Sequence, residues 1–584
     1  MEGNQFGPGR CLEAFVVALN MSCDGNVWYT STKELQLASL QFCVACRNVP
    51  TLHLAVKNTD VPARLWNDHA ATEAYTGAKR LSTTRVPAFR PREVTWEQPA
   101  WFLSDICLVF AKVERFLVRQ DTVLDDVVWP CRLKKLSFGE SFDTPVDNAA
   151  WPASLEEIAF GEKFKRPING VLWPKALKRL TFGLNFNQPI DKAVWPPSLE
   201  LLIFGDMFNQ PIDAVSWPAS LRELILGFSF NQPINRISWP PKLQRVVFGC
   251  FFDQPIDGIR WPASLQQLTF GNDFNQLCSA VPCKLLNLYF RTWDQAYPDI
   301  DSRDSEPIGG FKQPVGETFF PASLQELTFG ISFRQPVENV TFPASLRKLT
   351  FGRDFNQPIS GVVWPPSLRH LVFGETFDQP IDGVSWPASL KTLVLGKPEQ
   401  RNRFSHHDTV PVGFNQRIGG VVFPASLQEL SFGDTFNRPI NRVLWPTSLR
   451  HLVFGNTFDQ PIQDVSWPAS LETIVFGRPG QHPTCKVIRP TGFNQPIHGV
   501  TLPPSLQELT FGDAFDRPII TVSWPPSLQR LTFGERFTRV KNIKWPVTLR
   551  CLTLAWPPNK PLPEYPGVRV CRGWNSGSSM GWHA

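Results

Sequence analysis

Residues 426–448 read SLQELSFGDTFNRPINRVLWPTS, and the same phrase recurs along most of the chain. Its Trp-Pro step falls at Trp129, Trp151, Trp173, Trp195, Trp217, Trp239 and Trp261, each 22 residues after the last. The beat resumes at Phe320, Phe342, Trp364 and Trp386, at Phe423, Trp445 and Trp467, and at Leu502, Trp524 and Trp545. With a degraded copy at Val281, 18 units cover about residues 124–554 of the 584. A period this short and this regular describes stacked copies of one small structural unit.

Within a unit, the segment holding Leu427, Leu430 and Phe432 ends in period-two alternation. The place between the last two apolar residues holds Thr181, Ile203, Val247, Thr328, Val372 or Ser431, residue types that suit a pleated strand. Gly follows in 16 of the 18 units, so the backbone there requires either positive φ or close approach to another chain segment. Two prolines in the other half leave no room for a helix, so the return path is expected to be extended or a short 3₁₀ turn. The predicted fold is an all-β solenoid, a right-handed coil with one short parallel strand per unit. Equivalent Leu, Phe, Ile, Val and Trp side chains then form inward ladders. The residue after the second Phe is Asn in eight units and Asp in five, as at Asn187, Asn209 and Asp253, which fits a tight bend with backbone N–H groups to satisfy.

The run Phe186–Asn187–Gln188–Pro189–Ile190, followed by Trp-Pro-x-Ser-Leu-x-x-Leu-x-Phe-Gly, resembles the FNIP repeat, a relative of the leucine-rich repeat. Gln replaces the Ile that the family places after Asn. The resemblance covers the repeat array alone. It implies a curved solenoid with a parallel sheet on its concave face, a role in protein interaction and, in some members, an N-terminal F-box.

Outside the array, residues 1–95 form an unclassified N-terminal region and 96–123 an N-terminal cap. Residues 555–584 form a Pro/Gly/Ser-rich tail, with Leu549–Leu554 as the last strand-like copy. Cys46–Arg47, with Leu37, Leu40 and Phe42 upstream, is a faint echo of an F-box. Cys43 and Cys46 make one Cys-x-x-Cys pair without the second pair that a zinc site requires. There is no phosphate-binding loop, zincin motif or nucleophile elbow, so an enzyme is not expected, nor any metal or cofactor. The N-terminus lacks an apolar signal region and no apolar run is long enough to span a bilayer, which points to a cytoplasmic monomer. Net charge is +6, from 58 basic and 52 acidic residues, too balanced to mark a nucleic-acid or membrane-surface protein.

What remains is interaction with another protein. Outward positions on the strands mix both signs of charge, except at Arg347, Lys348, Arg369, His370 and Lys391 on three consecutive coils. Insertions at 292–310, 397–413 and 478–492 all interrupt the same place, between the strand-ending Gly position and the next Phe. The second of them carries Arg401, Arg403 and His406. The expected function is a non-enzymatic scaffold that binds a protein through the concave sheet and the loops at one edge. The alternative is a ubiquitin-ligase substrate receptor with an F-box-like adaptor.

Overall fold

The computed structural model describes residues 132–277, 284–290, 311–315, 320–396, 413–477, 492–540, 543–555 and 567–572 continuously, isolated positions beside them, and short strands at 26–29, 51–56, 93–96 and 115–118. The F-box echo and most of the three insertions lie outside these residues. The chain divides into two compact units: residues 1–254 with 259–265, and residues 255–258 with 266–584. Among the described residues every regular element is a strand.

In the first unit, strands pair in parallel in chain order. They run from Asn26–Tyr29 through Thr51–Val56, Glu93–Trp96, Arg115–Val118 and Lys135–Phe138 to Arg245–Val247. The parallel sheet thus begins well before the first recognisable repeat. In the second unit the order runs from Gln267–Phe270 to Cys551–Leu554. A further strand, Arg569–Arg572, pairs in parallel with Cys551–Leu554, so Leu549–Leu554 is not the last strand. It lacks the Leu, Phe and Asn marks of the repeat, which is why the sequence pattern missed it.

Strand residues alternate as pleating requires: in Glu508–Phe511, Leu509 and Phe511 are buried while Glu508 and Thr510 face outward. The return path is extended chain with short 3₁₀-type turns, as expected, closed by bonds such as Leu199 N–H to the Pro196 carbonyl. The inward ladders form as expected. Phe164, Phe186, Phe208 and Phe230 are wholly buried, and consecutive rings stack with centroids 6.1–6.2 Å apart.

The tryptophans sit nearer the rim than expected. Trp173, Trp195, Trp364 and Trp445 are 6–9% exposed, whereas Trp217, Trp239, Trp386, Trp467 and Trp524 are only half-buried. The preceding residue separates the two groups. Leu172, Val194, Val363 and Leu444 precede the buried indoles, while serines precede the others. These aliphatic side chains are themselves 65–83% exposed. The indole N–H of Trp151, Trp173, Trp195, Trp217, Trp239, Trp364, Trp386, Trp445 and Trp467 is buried and has no hydrogen-bond partner among the described residues. Phe at 320, 342 and 423 therefore forfeits no bond, which explains its use in this column.

Two side-chain ladders fasten coil to coil. The Asn209 N–H donates to Asn187 Oδ1, Asn231 N–H to Asn209 Oδ1 and Asp253 N–H to Asn231 Oδ1, at 2.9–3.0 Å. The acceptor thus serves the next coil, not its own bend. The Gln that follows reinforces this: Gln232 Nε2 donates to Asn209 Oδ1 at 3.0 Å. The Ser of Trp-Pro-x-Ser forms the second ladder, as where Ser220 Oγ donates to the Leu199 carbonyl at 2.7 Å.

Candidate functional site: the outward strand face

The strand-ending glycines define one border of the outward face. A Cβ at Gly205 would lie 1.7 Å from the Gly183 carbonyl oxygen, and Gly183 meets Gly161 in the same way. Close stacking, not positive φ, is the reason for Gly at these coils. Gly396 and Gly477 are different, with φ of 88° and 89°. They are the residues from which the insertions at 397–413 and 478–492 depart. At the far ends of those insertions, Cβ atoms at Gly413 and Gly492 would meet the carbonyls of Glu375 and Asn456, each the residue after a strand-ending Gly. Both insertions therefore leave and re-enter along the same border.

On the outward face, the first strand position and the residue before it form two columns of charge. Register places Glu326, Lys348, His370, Thr392 and Glu429 on consecutive strands. Arg347, Arg369 and Lys391 each come immediately before a strand, and all five basic residues are exposed. The structure thus gathers Arg347, Lys348, Arg369, His370 and Lys391 on three adjacent coils. Arg401, Arg403 and His406 lie outside the described residues.

At several other coils these columns carry ion pairs between neighbours. Lys135 pairs with Glu157 at 2.6 Å, Lys178 with Glu156 at 2.9 Å and Arg245 with Glu223 at 3.1 Å, and Arg450 pairs with Glu472 and Arg530 with Glu508. Arg347, Lys348, Arg369 and Lys391 have no ion pair among the described residues. The flanking acids are otherwise engaged: Glu326 accepts from the Tyr289 hydroxyl at 2.6 Å, and Glu429 from the Thr392 hydroxyl at 3.0 Å. Partial burial lowers the pKa of His370, and Lys348, Lys391 and Arg369 lower it further against the pull of Glu429. The ring lies 3.1 Å from the Thr392 hydroxyl. The cluster carries a net positive charge, with Glu326 and Glu429 at its two flanks.

No group of three or more His, Cys, Asp or Glu among the described residues is arranged to hold a metal ion. No described helix is long and apolar enough to cross a membrane.

The profile of the FNIP Repeat matches residues 164–207, 208–251, 311–354, 355–397, 414–444, 444–478 and 493–536. Each full-length match spans two of the 22-residue coils, and the chain is a FNIP repeat-containing protein. No curated protein matches it. Among solved structures, CroV588, a circular LRR protein, is 24% identical, with 91% of this chain and 96% of that chain covered and a TM-score of 0.38. An internalin, InlF, of Listeria monocytogenes strain 4b F2365 is 13% identical, with 55% and 80% covered and a TM-score of 0.33.

Proposed function

We propose that this chain is a non-enzymatic interaction scaffold, and that the outward strand face around residues 346–392 docks an acidic segment of a partner protein. The observation that carries this reading is a run of unpaired basic residues on three consecutive coils, in columns that carry ion pairs at several other coils. Like charges stacked about 5 Å apart repel one another, so the arrangement costs stability unless an anionic group meets it. An extended acidic segment lying across the strands could contact Arg347, Arg369 and Lys391 in turn. The Lys348 and His370 side chains stand beside that path. The insertion stems at Gly396 and Gly413 adjoin the same coils.

The test is affinity capture with the full chain beside its Arg369→Glu, Lys391→Glu double variant. Both positions are exposed, so the variant should fold. Proteins held by the wild type and lost from the variant should present acidic segments, and their retention should weaken as salt rises. An identical set captured by both chains would overturn the reading.

A further inference from the structure

The border beyond the strand ends is polar on most coils. Its first two places hold Glu162 and Lys163, Arg353 and Asp354, Glu375 and Thr376, or Glu535 and Arg536. Four consecutive coils in the first unit break that rule. Leu184 is followed on the next coils by Asp206–Met207, then Phe228–Ser229, then Cys250–Phe251. Met207 is 51% exposed and Phe251 48%. Phe228 and Phe251 meet edge to face with centroids 4.7 Å apart, so the rings form one raised apolar ridge.

Asp206 stands within this ridge. Its column includes two other aspartates that bond the backbone of the next coil: Asp434 Oδ1 accepts the Asn456 N–H at 3.3 Å, and Asp513 Oδ1 accepts the Glu535 N–H at 3.0 Å. Asp206 likewise accepts a backbone hydrogen bond from Phe228, but here the next coil presents a phenyl ring rather than a polar side chain. Among the described residues Asp206 has no cationic partner. Burial alone pushes its pKa up to about 6, and no charged neighbour contributes to that shift. The exposed Glu140 and Glu162 continue the same column toward the N-terminus, adding negative charge to one side of the ridge.

We infer that the ridge formed by Leu184, Asp206, Met207, Phe228 and Phe251 is a second docking site, for a protein segment that carries a Lys or Arg between apolar side chains. Charge complementarity selects this occupant. The apolar side chains cover Met207 and Phe251, and the cation meets the half-buried Asp206 carboxylate beside the aromatic Phe228, which also favours it. The chemistry is opposite to that of the basic cluster, so the two sites take different segments and stand or fall separately.

The experiment is selection of random peptides displayed on phage against the full chain, with Phe251→Glu and Asp206→Asn variants as counter-screens. Circular dichroism and the melting midpoint verify each variant's fold. Peptides that bind wild type and lose at least tenfold in affinity on Phe251→Glu should carry Lys or Arg among apolar residues. Asp206→Asn should weaken the same peptides at least fivefold, while peptides lost on Arg369→Glu, Lys391→Glu should be unaffected. Recovery of no peptide that depends on Phe251 would overturn the inference, as would dependent peptides that lack a cation. Sedimentation equilibrium adds a third outcome: a dimer in wild type abolished by Phe251→Glu would give the ridge to a second copy of this chain and refute the inference.

Discussion

Asn209 Oδ1 accepts both the Asn231 N–H and the Gln232 side chain, so its loss strands the Asn231 N–H, while Gln232 keeps its bond to the Asn209 carbonyl. Asn209→Ala should destabilise by about 2 kcal/mol, whereas Asn209→Asp, which keeps the acceptor and occurs naturally at Asp253 and Asp378, should cost under about 1 kcal/mol. Chemical denaturation of the two variants separates these outcomes. Asp206 carries a different expectation. Its folded-state pKa, about 6, lies above the ordinary 3.8 because burial disfavours the charged form. The native state therefore holds the proton more tightly than the unfolded chain, and the group's contribution is lost as pH rises from about 4 to about 6. Above that window the ionised carboxylate carries its burial cost. Asp206→Asn should stabilise the free protein by about 1 kcal/mol at pH 7.5, after allowance for solvent screening. At pH 4 the difference should vanish, and denaturation at the two values tests this.

The strands were readable because their marks lie beside them. Leu, Leu and Phe give the pleat, Gly its end and Asn the following bend, all at fixed offsets. Thr51–Val56 and Glu93–Trp96 lack those flanking marks, so nothing set them apart as strands of the same parallel sheet. The role of Gly was readable only as a pair of alternatives, because the group that excludes a side chain lies 22 positions away on the preceding coil. Gly205→Ala should cost about 3 kcal/mol, since the new methyl would overlap the Gly183 carbonyl. Gly170, at φ 85° with open space around it, should tolerate Ala at about 1 kcal/mol of backbone strain. The tryptophan column gives a second contrast. Trp217→Phe should remain within about 1 kcal/mol of wild type because the buried indole N–H makes no bond. Trp217→Ala should cost about 2 kcal/mol, less than the roughly 4 kcal/mol expected for the fully buried Phe208→Ala. Thermal unfolding of the three variants ranks them.

Neither candidate site was equally legible. The basic cluster shows in the sequence once the coils are aligned, because its residues occupy one strand column and the residue before it. The apolar ridge does not, since Met207, Phe228 and Phe251 fall at places that vary freely from coil to coil. Only the stacking of Phe228 on Phe251, with Asp206 between polar expectation and apolar surroundings, sets them apart. Coil-to-coil contact also decides what the array can lose. Replacing 397–413 and 478–492 with two-residue links leaves the described Phe, Asn and Ser ladders intact, and shorter loops close at little entropic cost. The melting midpoint should stay within about 3 °C of wild type, equivalent to a change below about 1 kcal/mol. Binding of acidic segments captured by the wild type should weaken when 397–413 is removed; unchanged affinity would take that insertion out of the docking surface.

In both the Asn and the Ser ladders the acceptor belongs to the earlier coil and the donor to the later one. Asn187 is in place for Asn209, and the Leu199 carbonyl for Ser220, before the later residue of either pair has been synthesised. A chain leaving the ribosome thus meets each new turn with a finished mould. Every completed turn becomes the template for its successor, and assembly can keep pace with translation from the amino end onward.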